Sequence, residues 1–100
     1  MKLRLAPRAL SEAKRKKTWW VKNRPAAPEL FEEELRATLE AIRATPTLGT
    51  VYAHRFEILV RRVLMPQTKN HLYSTVSGDE IVILSVWGAS RERGPKLWIL

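Results

Sequence analysis

The chain has no cysteine and only two histidines among its 100 residues. The first absence excludes a disulfide framework and thiolate chemistry. His54 and His71 are the only soft nitrogen donors, and no carboxylate recurs near either at ligand spacing. Neither a metal site nor a cofactor is therefore expected. Long apolar runs are also missing, and the longest falls far short of a bilayer span. The opening MKLRLAPRAL is basic but lacks the apolar stretch of a secretory signal. These absences together predict a cytoplasmic protein with no membrane partner. There is no internal repeat and no low-complexity tract. At this length the expectation is one small domain, residues 1–100, with a single modest core.

Acidic residues are scarce. Ten Asp and Glu face 18 Lys and Arg, for a formal net charge of +8. The imbalance is concentrated at the start of the chain. Residues 1–24 hold nine cations and one Glu, residues 25–50 hold two cations and five acids, and residues 51–100 hold seven and four. Such a balance favours an anionic partner, either nucleic acid or an acidic protein segment. Apolar residues make up 45% and charged residues 28%, as in a soluble globular protein.

Residues 57–87, EILVRRVLMPQTKNHLYSTVSGDEIVILSVW, read as three consecutive strands. β-Branched and aromatic residues are dense, and Pro66 falls only between the first and second strands. IVILSVW is apolar except at Ser85, which predicts a strand buried on both faces. Pro66 to Asn70 and Ser77-Gly78-Asp79 are short turns, so the pairing should be antiparallel. Arg61 and Arg62 lie side by side within the first of these strands. Neighbouring side chains on a strand point to opposite faces, so one Arg faces whatever covers the sheet and the other faces away. The inward Arg is expected to pair with a helix carboxylate such as Glu32, Glu33 or Glu40, and the outward one is the better functional candidate.

Upstream, Met1 to Ala6 alternates apolar and polar residues and predicts a short strand ended by Pro7. Ser11 is a candidate N-cap for a helix running to about Asn23. Trp19-Trp20 anchors that helix, one indole entering the core and the other at its margin. Its Ala13-Lys-Arg-Lys-Lys17 cluster reads either as a phosphate contact or as a solvated face. Residues 24–28 form a link. Phe31, Leu35, Leu39 and Ile42 then form an apolar stripe, with Glu29 and Glu32 to Glu34 in the first turns. Residues 45–49 end this second helix, and Val51 to Phe56 leads into the sheet. The predicted class is α+β, in the order β-α-α-β-β-β. A helical hairpin packs on one face of a small antiparallel sheet, and the other face is largely uncovered.

This order resembles the RelE/ParE toxins of bacterial type II toxin–antitoxin modules. The resemblance is carried by ELFEEELRATLEAIRATPTLGTVY, by ILVRRVLM and by HLYSTVSGDEIVILSVWGASR, and it covers nearly the whole chain. It implies a stable complex with a small cognate antitoxin, with operator DNA bound only through that antitoxin. It also implies one of two targets. RelE-like members cleave messenger RNA on the ribosome, using cations to stabilise a phosphorane-like charge and a Tyr, His or carboxylate to move protons. ParE-like members inhibit DNA gyrase without a hydrolytic site. For the ribonuclease the chain offers Arg61 or Arg62, His71, Tyr73, Arg91, Arg93 and Lys96. The tyrosine common several residues after the last basic run is replaced by Leu97-Trp98. Trp19-Trp20, VRRVLMP and VWGASRERGP are closer to ParE-like members. On that reading Arg62, Trp87, Arg91, Arg93, Lys96, Leu97 and Trp98 contact the target or the antitoxin, and no residue is catalytic. A toxin fold kept only as an inactive antitoxin-binding module is a third reading.

Overall fold

A computed structural model describes residues 1–91 and 93–97. β1 (Lys2–Leu5) is short because Pro7 cannot donate to a ladder. The same proline opens α1 (Pro7–Asn23), at a position where the missing N–H leaves nothing unpaired. The helix thus begins four residues before Ser11, the N-cap expected from the sequence. A link leads to α2 (Leu30–Ala44), which carries Glu32 and Glu33 in its first turn and Arg43 in its last, both favourable to the helix dipole. Lys17 Nζ lies 2.6 Å from Glu32 Oε2 and joins the two helices through an exposed, weak ion pair.

Four strands follow: β2 (Thr50–Arg55), β3 (Ile58–Met65), β4 (Asn70–Ser77) and β5 (Glu80–Gly88). They form an antiparallel meander, and β1 adds to β5 in parallel, giving the order β1-β5-β4-β3-β2. The fold is α+β, with two helices packed on a five-stranded sheet. The sheet is mixed because β1 reaches β5 only after the chain has crossed over both helices. Val51 to Phe56, expected only as a lead-in, belongs mostly to the edge strand β2, paired from Thr50 opposite Arg62 to Arg55 opposite Ile58. The two residues that turn β2 into β3, Phe56 and Glu57, both have left-handed backbones, φ 51° and 62°. This is the geometry of a two-residue hairpin turn, which usually selects Asn and Gly.

The helix-facing core joins Phe31 and Ile42 of α2 to Val63, Met65, Leu72, Ile81 and Ile83 of the sheet. Ala9 and Ala13 let α1 approach closely. Trp20 packs against this core while Trp19 is 48% exposed, as the adjacent positions on one helix require. The far face is not left open. Val60, Tyr73, Val82 and Leu84 form a second, smaller core there, and Leu97 folds back onto it. Three contacts hold the returning segment. The Trp87 indole N–H donates to the Arg93 carbonyl at 2.8 Å, and Arg8 Nη1 donates to the Lys96 carbonyl at 2.6 Å. Gly94 lies so close to the Tyr52 ring that a Cβ would overlap it.

Two buried acids tie helices to sheet. Glu34 of α2 accepts from the Gln67 and Thr68 amides, at 2.7 and 2.9 Å, and from the Thr68 hydroxyl at 2.6 Å. The turn between β3 and β4 therefore hangs from α2. Replacing the acid removes three charge-assisted bonds at a nearly closed site. Urea unfolding of Glu34→Ala should show a loss of about 2–4 kcal/mol. Glu33→Ala, one residue away and exposed, should change stability by less than about 0.5 kcal/mol.

Candidate functional site

The second buried acid, Glu12, sets up the most distinctive surface of the molecule. β1 pairs with β5 only from Glu80 to Ile83, so beyond Ile83 the β5 edge has no neighbouring strand. Glu12 of α1 takes that place. Its Oε1 accepts from Ser85 Oγ at 2.9 Å and from the Val86 amide at 3.0 Å, and its Oε2 faces Arg8 Nε at 3.4 Å. An edge amide that would otherwise be orphaned is satisfied, and α1 is pinned to the end of β5.

Helical spacing then does the rest. Lys16 lies one turn beyond Glu12, Trp19 and Trp20 the next turn on, and Arg24 at the helix C-cap. Facing them are Trp87 and Gly88 at the end of β5, Arg91 just after it, and Lys69 in the turn held by Glu34. The Ala89 amide donates to the Lys69 carbonyl at 2.9 Å, which joins these two segments. Between the walls lies a cleft of about 510 Å³.

Its chemistry is one-sided. Arg15, Lys16, Arg24, Lys69 and Arg91 line it, against the single carboxylate of Glu12, which its three donors already engage. Among the described residues none of the five cations has a carboxylate within ion-pair distance. Two of the guanidinium groups are held by indoles instead. Arg91 sits 4.2 Å from the Trp87 ring centroid, and Arg24 sits 5.5 and 5.7 Å from those of Trp19 and Trp20. Burial holds the Lys16 ammonium below its ordinary pKa. Arg91 lowers it further, Glu12 opposes the shift and Arg15 adds to it.

A different group occupies the far face of the sheet. Arg62 lies opposite Tyr73 in the β3–β4 register, with its guanidinium 5.6 Å from the Tyr52 ring. The Tyr52 and Tyr73 rings meet edge to face at 4.7 Å, and His71 approaches Tyr73 at 6.2 Å. Burial pushes the Tyr73 phenol up, against the opposing hydrogen bond from Arg62. Burial, then the charge of Arg62, hold His71 below its ordinary value of 6.5. Both shifts favour the uncharged form.

The residues offered by the sequence for a ribonuclease do not all lie on one face of the sheet. Arg61 shares the helix-facing side of β3 with Val63 and Met65, whereas His71 lies on the far face opposite Trp87, on whose ring Arg91 stacks at the mouth of the cleft. Arg93 is exposed, with its carbonyl taken by Trp87. The expected pairing of the inward Arg with Glu32, Glu33 or Glu40 does not occur among the described residues, and Glu32 pairs with Lys17. Of the residues assigned to partner contact, Arg62 and Trp87 are half-buried, and Arg91, Arg93 and Lys96 are exposed. Leu97 is corrected: at 2% exposure it is already covered by the chain's own far-face core. Trp98 lies outside the described residues.

The cleft cations Arg24 and Lys69 were missed by sequence reasoning. Glu12, Lys16, Trp20 and Arg24 do recur at intervals of four, a legible signal that this face of α1 is organised. Lys69 carries no such signal. No group of three His, Asp or Glu side chains gathers among the described residues, and no described helix is long and apolar enough to cross a membrane. No protein-family model matches the chain, and no curated protein is significantly similar to it in sequence.

His71 gives a pH signature for the far face. The fold favours its neutral form, so the associated stability is complete above pH 6.5 and is lost as pH falls below that value. Urea unfolding at pH 7.5 and pH 5.5 should show a smaller loss on acidification for His71→Gln than for the unaltered chain. Equal losses would remove His71 as the source.

Proposed function

We propose that the chain is a RelE/ParE-like toxin of a bacterial type II toxin–antitoxin module, acting in the cytoplasm by binding and inhibiting DNA gyrase. A cognate antitoxin neutralises it, and operator DNA is reached only through that antitoxin. The β-α-α-β-β-β sequence pattern and the α+β fold are compatible with this class. One observation carries the choice of target: the cleft that Arg91 shares with Arg15, Lys16, Arg24 and Lys69 is lined by no His or Tyr, and its single carboxylate, Glu12, is engaged by three donors. General acid–base catalysis needs the proton-transfer group within hydrogen-bond reach of the reacting atoms. Cations separated from such a group suit binding rather than bond cleavage.

The basic surface suits an acidic antitoxin arm, and the exposed edge of β2 offers unpaired backbone groups for an added strand. The closeness of Lys16 and Arg91 favours one alternative, a ribosome-dependent endoribonuclease in which these cations stabilise charge on a phosphate.

Purified protein added to gyrase should block supercoiling or trap cleaved DNA, and Arg91→Ala should weaken that effect by about tenfold or more. Inert behaviour toward gyrase at stoichiometric excess, with codon-phased cuts in ribosome-bound message, would transfer the assignment to the ribonuclease. Neither effect, with normal growth on expression without a partner, would leave only an inactive antitoxin-binding module.

A further inference from the structure

The α1–β5 cleft holds more positive charge than the fold uses. Glu12 is fully occupied in capping β5, and removing Arg15, Lys16 or Lys69 would break no hydrogen bond of their side chains among the described residues. Lys16 nevertheless sits half-buried beside Arg91, where lost hydration and like charge both act against it. An anion in the cleft would reverse both effects. Arg24 and Arg91, stacked on indoles, are restrained in advance, so less side-chain freedom is lost when they bind.

Size and composition narrow the ligand. A lone inorganic anion would fill a small part of about 510 Å³, a volume within the range of small-molecule sites. Trp19 is 48% exposed on the cleft wall and presents an apolar ring surface that a simple anion would not cover. A ligand that matches both features carries phosphate at one end and a flat ring at the other. Indoles interleaved with cations are a recurring way to hold a base and its phosphate together.

We propose that this cleft binds a phosphorylated nucleoside, with its phosphates between Lys16, Arg15 and Arg91 and its base against Trp19. The site does not depend on whether the chain acts on gyrase. It requires only the cleft that Glu12 and Glu34 hold open. No bond is made or broken; the site is one of binding.

Three of the four tryptophans line the cleft, so indole fluorescence of the full chain reports occupancy. The probes are ADP, inorganic pyrophosphate, adenosine and a short single-stranded oligonucleotide, titrated at low and at physiological salt, with calorimetry as a second readout. ADP should bind about tenfold or more tightly than either pyrophosphate or adenosine, because only it engages both halves of the site. Lys16→Gln and Arg91→Gln should each weaken ADP by about tenfold, whereas Arg43→Gln, the same charge change on exposed α2, should stay within about twofold. An oligonucleotide that binds more tightly than ADP, with the same loss in Lys16→Gln, supports the site and assigns the nucleoside to a strand. Pyrophosphate binding as tightly as ADP would overturn the nucleoside assignment. No binding of ADP or the oligonucleotide at about 1 mM, or an equal loss in Arg43→Gln, would overturn the site itself.

Discussion

A single carboxylate decides where α1 meets the sheet. β1 is too short to cover the whole of β5, and the amide of Val86 would be left without a partner at a buried edge. A second strand could have solved this, but Pro7 ends β1 and starts a helix. Glu12 solves it from the helix side. Burying a carboxylate is costly unless its oxygens are satisfied, and here Ser85, Val86 and Arg8 satisfy both. The position of every later residue on that face of α1 follows from this attachment.

Glu34 plays the matching part from α2. It holds the β3–β4 turn, and that turn delivers Lys69 to the wall opposite Lys16. Both walls of the cleft are therefore set by acids whose oxygens are engaged by the sheet, its turn and Arg8. Charge of each sign has its own role. The negative groups build the frame, and the cations that line the space, beside Glu12 itself, are left without a paired acid among the described residues. The far face is organised differently, by ring contacts among Tyr52, Tyr73 and His71 with one guanidinium beside them. A ring-rich patch with one cation and a cleft with five give the molecule two chemically distinct surfaces.

Much of this was legible from residue patterns. The stripe Phe31, Leu35, Leu39 and Ile42 identified α2 and its buried side, because a helix of that amphipathicity has only one way to sit on a sheet. The run from Ile81 to Trp87, apolar but for Ser85, identified β5 as covered on both faces; Ile81 to Val86 are buried and Trp87 at its end is half-buried. What escaped notice depended on long-range partners. A glutamate amid a basic helix reads as solvent-facing until the Val86 amide is known to need an acceptor. Likewise Glu34 stands in a run of three glutamates, of which the other two are exposed. The parallel pairing of β1 cannot be read from local alternation, which is the same for either direction. Leu97 looked like an unpartnered tail residue because the far-face core that receives it is contributed by three separate strands, β3, β4 and β5.

The pairing of β1 with β5 has a bearing on how the protein is made. Leu3 lies opposite Ile81 and Leu5 opposite Ile83, partners separated by most of the chain. During synthesis the first strand and its helix emerge long before the strand that receives them. The nascent chain can form the helical hairpin and later the meander, but α1 has no β5 to be pinned to and the cationic cleft has only one wall. Contacts of such high sequence separation form late. Completion of the fold waits for the last strand to clear the exit tunnel, so the assembled surface exists only after translation of that strand has finished.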